Sequence, residues 1–190
     1  MTKLMMNKRN IIMFAVLVAI GVFGRLLPHA WNFTPLIATT IFAGAYLGKK
    51  YAFVLPIITM FISDLFLGFY EFQIMFSVYL SFAIAGLIGY KFARSKKINM
   101  VVLSALFSSA LFFLVTNAAV WLFGNIYQPG IVGLLESYWA GIPFYRNMML
   151  SDIIYTTALF MIYEYSLSVI KKLKTEKQPE IVTLMKTSNK

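Results

Sequence analysis

Long apolar runs alternate with short polar connections along most of this 190-residue chain. Six runs read as helices that cross a bilayer, at about 10–27, 35–48, 51–68, 74–92, 100–123 and 146–170. A crossing of the hydrocarbon core needs ~20 residues, so the second run is too short for an ordinary lipid-facing helix. It must be tilted, packed within the bundle, or stopped short under a loop. Thr34 is expected to cap it, Pro35 to begin it, and Pro56 to kink the third run. The first run has no small-x-small cleavage pattern after it and reads as a retained helix.

The connections sort by charge. Lys3, Lys8, Arg9, Lys49, Lys50, Lys91, Arg94, Lys96, Lys97, Lys171, Lys172, Lys174, Lys177, Lys186 and Lys190 fall on one side of the alternation. Only Arg25 and Arg146 fall on the other. Short basic loops stay cytoplasmic, so both termini are expected inside and the number of crossings even. The net charge of +10 is then a topology signal and no nucleic-acid surface.

Composition agrees with a multi-pass protein of the cell membrane. The chain is 60% hydrophobic and 13% charged, with a mean hydropathy of +0.76, against about 25% charged in soluble proteins. With no cysteine and one histidine, thiolate chemistry is excluded and neither a metal site nor another cofactor is expected. Residues 1–170 read as one transmembrane domain and 171–190 as a flexible basic cytoplasmic tail. AxxxA on the first run (Ala15, Ala19), GxxxG on the second (Gly44, Gly48) and Ala85 with Gly89 on the fourth mark close helix contacts.

Candidate chemistry gathers on the side poor in lysine. Asp64 and Asp152 lie inside runs, where carboxylates are costly and are paired or face a cavity. Arg25, Arg146 and Asn117 lie near the same level. The loop at 25–33 carries Trp31 and Asn32, and the loop at 124–145 carries Glu136 and Trp139; Trp121 also lies on this side. Asp152, Tyr155, Thr156 and Tyr163 recur at helical spacing. Two arginines against Asp64, Glu71, Glu136 and Asp152 leave −2, which suits a small, flat, neutral or cationic ligand. Asn117 and Asp152 would bond it, and Trp121 or Trp139 would stack on it. The competing reading is a structural ion-pair network, Arg25 with Asp64 first.

Six spans in this length, AxxxA on the first, Phe42-Ala-Gly-Ala-Tyr-Leu-Gly-Lys49, Leu55-Pro56 and Ile62-Ser-Asp-Leu-Phe-Leu-Gly68 together resemble the substrate-binding S components of energy-coupling factor transporters. Trp31-Asn-Phe-Thr-Pro35, Thr116-Asn117, Trp121 and Pro143-Phe144 are similar to an uncharacterised branch of these proteins. The resemblance implies a six-helix membrane bundle without enzymatic activity of its own. It implies capture of a vitamin-like micronutrient from outside and translocation with a transmembrane coupling protein and two ATPases. Ala15 and Ala19 would face the coupling protein. The 25–33, 68–73 and 124–145 loops, Asn117, Trp121 and Asp152 would meet the substrate. No nucleotide-phosphate loop occurs in the chain, so ATP would be hydrolysed by partners. Two other functions compete: a structural membrane subunit whose polar cluster is wholly self-paired, and a membrane enzyme using Asp64 and Asp152 as acid and base.

Overall fold

The structure, a computed structural model, describes residues 8–188, with only the helical backbone described for residues 174 and 176–188. Lys3 and Lys190, counted among the inner charges, lie outside the described residues. The described residues form α1 (Lys8–Leu26), α2 (Leu36–Leu47), α3 (Lys49–Leu67), α4 (Phe72–Lys91), a 3-10 turn (Ala93–Ser95), α5 (Ile98–Phe123) and α6 (Ile131–Ser188). No strand occurs among them. All of these helices except α2 are long and apolar enough to cross a bilayer.

Polarity is arranged inside out. Ile12, Phe23, Leu65, Phe66, Phe107 and Ile162 are exposed, whereas Asp64, Asp152 and many serines and threonines are buried. Water would expel those apolar side chains, but lipid accepts them. A helix also satisfies its own backbone where no water is available. The chain is built as a membrane-embedded helical bundle.

The short helix α2 lies at its centre. Ten of its 12 residues are buried, and it packs against α1, α3, α4, α5 and α6. Its length of ~18 Å falls short of the ~30 Å hydrocarbon core, so protein rather than lipid encloses it. Of the options left open for this run, packing within the bundle is the one observed. Pro35 stands at its N-cap, and no side chain caps that end.

Glycines bring α2, α3 and α4 into backbone contact. A Cβ on Gly44 would lie 2.2 Å from the Gly86 carbonyl oxygen, and one on Gly89 2.4 Å from that of Ile41. A Cβ on Gly86 would lie 2.1 Å from the carbonyl oxygen of Ala52. Pro56, four residues after Ala52, has no N–H to give that carbonyl. The oxygen freed by the proline is the one against which Gly86 packs. Gly48, expected in the interface with Gly44, instead links α2 to α3 at φ +98° with nothing near its absent Cβ. Ala15 is exposed and Ala19 half-buried.

Helix α6 departs most from expectation. It begins at Ile131, so the loop drawn to 145 shrinks to the segment after Phe123 that turns at Gly130 (φ +99°). Hydrogen bonds from Ser137 Oγ to the Asn117 carbonyl and from Tyr138 Oη to that of Leu114 bind the added turns to α5. Its backbone also stays helical to Ser188, through residues expected to form a flexible tail. At 58 residues it extends ~87 Å, well beyond a bilayer.

At the basic end of the bundle, the Tyr46 hydroxyl donates to Glu164 at 2.5 Å, and Lys96 pairs with Glu164 at 3.4 Å while lying over the Tyr46 ring. Phe42, Phe160 and Tyr163 pack around Tyr46. Glu164 is thus held by Lys96 and Tyr46 from two other elements of the fold.

Candidate functional site

The last turn of α1, the first of α2, the last of α3 and the middle of α6 meet at the end of the bundle away from the lysines. A cavity of about 290 Å³ opens there. Every helix contributes: Arg25 from α1, Leu36 and Ile37 from α2, Met60 and Leu67 from α3, Val78 and Phe82 from α4, Phe112 from α5, and Met148 and Asp152 from α6. His29, Asn32 and Thr34 add polar atoms from the α1–α2 loop. Asn32 adopts φ +57°, a left-handed conformation that asparagine tolerates better than most residues. Asn147 Nδ2 donates to the Trp31 carbonyl oxygen at 3.2 Å and ties this loop to α6. A smaller cavity of about 140 Å³ shares Asn32, Phe112 and Met148 and reaches Asn117, Phe144 and Tyr145.

Two carboxylates flank this region in different states. Asp64 is 1% exposed and accepts from Arg25 Nη1 and from the Tyr79 hydroxyl, both at 2.8 Å. Arg25 also donates to the Ser63 hydroxyl. Tyr70, in the α3–α4 connection, has its pKa pushed up to about 12 by burial and by the Asp64 carboxylate, with Arg25 opposing. This network is self-paired, as the structural reading of Arg25 and Asp64 expects. Asp152 is also 1% exposed but lines the cavity, and its Oδ2 accepts from Ser109 Oγ at 2.7 Å. Among the described residues no cation lies within ion-pair distance of it.

The predicted site residues therefore separate. Arg25, Asn32 and Asp152 line the main cavity and Asn117 the smaller one; Asp64 stands behind Arg25. Trp31 stacks on Phe144 at 5.4 Å between ring centroids, and Tyr155 meets Phe33 edge-on. Trp121 donates to the Gln128 carbonyl oxygen. Glu136 and Trp139 lie on the far face of α6 in an apolar surface groove, with Trp139 79% exposed. Arg146 is exposed and has no ion pair among the described residues, so it cannot join Arg25 in neutralising the buried carboxylates. The expected −2 dissolves for the same reason: Glu71 and Glu136 are absent from the cavity lining, and Arg25 is already matched by Asp64.

Sequence reasoning missed Tyr79 and Ser109, whose hydroxyls hold the two aspartates. It also missed the apolar wall of Met60, Val78, Phe82, Phe112 and Met148. No pattern distinguishes these residues from their lipid-facing neighbours. His29 sits at the cavity with Nδ1 2.8 Å from the Ala30 carbonyl oxygen and Nε2 3.4 Å from that of Arg25; a neutral ring donates its single N–H to the nearer one, as a loop hydrogen-bonding residue does. No group of three or more His, Asp or Glu that could hold a metal gathers among the described residues.

The profile of a family of unknown function, DUF6580, matches residues 5–175. The chain belongs to this family. No curated protein and no solved structure matches it.

Proposed function

We propose that this protein is the substrate-capture subunit of a membrane uptake system for a small organic micronutrient. One observation carries the reading: all six helices contribute side chains to one cavity of about 290 Å³ that mixes polar and apolar lining. Ligand sites share that mixture and run from about 300 Å³ upward, so the fit is to a molecule of about one ring. A purely structural subunit has no use for such a space, although the self-paired Arg25–Asp64–Tyr79 network is what that role predicts. As an acid–base pair, the aspartates serve poorly, because Asp64 is committed to Arg25 and Tyr79.

In this reading the chain crosses the membrane six times with both termini in the cytoplasm. The cavity then faces outward, because the basic turns lie at the other end. Translocation is driven by ATPase subunits acting through a transmembrane coupling protein. The exposed Ala15 and half-buried Ala19 on α1 offer that protein a smooth face. The test is mild extraction of the tagged full chain from its native membranes, with mass spectrometry of what accompanies it. A recurrent small molecule together with a membrane protein and an ATPase is expected. Recovery of the chain with neither would refute the proposal.

A further inference from the structure

Resting on the capture reading, we propose that the cavity takes a small organic cation whose positively charged nitrogen is met by the Asp152 carboxylate. Arg25, the one fixed cation on the cavity wall among the described residues, is engaged with Asp64 and Ser63. His29, the other titratable group that lines the cavity with them, is turned to backbone carbonyls. Asp152 receives one hydrogen bond, from Ser109 to Oδ2 at 2.7 Å. That hydroxyl has a single proton, and the Ala105 carbonyl oxygen competes for it at 2.9 Å. Oδ1 has no partner among the described residues. A carboxylate 1% exposed within an apolar bundle is costly without a counter-charge, and the cavity is where one can enter.

The rest of the lining selects the kind of cation. Phe82 and Phe112 present aromatic rings, and Ile37, Met60, Val78 and Met148 present hydrocarbon and thioether. Rings attract organic cations, whereas a hard metal ion needs several oxygen ligands that this wall lacks. An anion would meet Asp152 with no free positive charge to offset it.

Three probes of one shape separate the possibilities: benzylammonium, benzyl alcohol and benzoate, titrated calorimetrically into the purified full chain near neutral pH. Benzylammonium should bind at least about tenfold more tightly than either isostere, the scale of a charge-assisted hydrogen bond. Asp152→Asn should erase the preference and Asp152→Glu should keep it. Met148→Lys, one turn earlier on the same wall, should also erase it by supplying the counter-charge internally, which covers a failure of Asp152→Asn to fold. Equal binding of the three probes would overturn the counter-ion while leaving the capture reading standing. Preference for benzoate, displacement of benzylammonium by sodium, or a cation preference surviving both Asp152→Asn and Met148→Lys would overturn it too. Binding of none of the three would likewise overturn it, with capture still decided by the co-purification experiment.

Discussion

Removing either partner of the Arg25–Asp64 pair should destabilise the bundle, and the two removals should cost different amounts. The pair is 2.8 Å long, with side chains 17% and 1% exposed. Breaking a buried pair costs about 3–5 kcal/mol, because the survivor is left charged and unmatched. Arg25 ends α1 beside a polar loop, so without Asp64 its long stem can turn the guanidinium toward water. Asp64 has no such route, and without Arg25 it keeps only the Tyr79 hydroxyl. Arg25→Gln should therefore cost about 3–5 kcal/mol and Asp64→Asn about 1–3 kcal/mol less. For a chain of this length the larger loss corresponds to a fall in Tm of roughly 6–20 °C. The double variant Arg25→Met/Asp64→Leu removes both charges and should return to within about 1–2 kcal/mol of the parent. The remaining deficit reflects the orphaned Tyr79 hydroxyl. Thermal unfolding in detergent, followed by tryptophan fluorescence, measures the parent, the two single variants and the double variant on one scale. Additive losses below about 1 kcal/mol for each single variant would refute the reasoning, because exposed pairs behave that way.

Gly86→Ala should destabilise by at least about 1–3 kcal/mol, since its Cβ would stand 2.1 Å from a backbone oxygen that cannot retreat; a Tm within 2 °C or so of the parent would refute the close contact. Partial burial and the neighbouring Asp64 carboxylate push the Tyr70 hydroxyl up to about 12, above the ordinary tyrosine value of about 10. Its stabilising contribution is full below pH 10 and disappears as the pH climbs through 12, because the unfolded chain ionises first. The stability of the parent should fall over that window more steeply than that of Tyr70→Phe, and equal slopes would remove burial and Asp64 as the cause. Cysteines placed singly at Gln73 and Ser95 should react with an impermeant thiol reagent from opposite sides of the membrane, with Ser95→Cys reached only from the cytoplasm; labelling of that variant from outside would overturn the topology.

Helix positions were legible because apolar runs and basic turns repeat on the scale of a bilayer, and five of the six helix starts fall within about two residues of the periodicity. Asp152 was legible too, as a carboxylate inside an apolar run has few roles. The start of α6 was not. Residues 131–145 mix glycine, proline and aromatics in a way that reads as loop, and hydrogen bonds from Ser137 and Tyr138 to α5 decide otherwise. The same error misplaced Trp139 and Glu136: a loop residue can turn to either side, but a helical one is committed to a face. The cavity itself had no sequence signal. It is a gap between apolar side chains such as Met60, Phe112 and Met148, and a gap depends on how helices cross.

The brevity of α2 has an electrical consequence. Leu36 and Ile37, at its first turn, line the cavity, so about ten residues, ~15 Å, remain between that chamber and the opposite end of the helix. If the cavity opens outward as proposed, in a bilayer whose dry core is ~30 Å thick a solute in the chamber would already have covered about half the distance. A voltage across the membrane drops over the dry septum that is left, so the field there is about twice that across plain lipid. Each 100 mV is worth ~2.3 kcal/mol per elementary charge over the full drop. For a positively charged solute beside Asp152, that work is concentrated into a displacement of about three turns of helix.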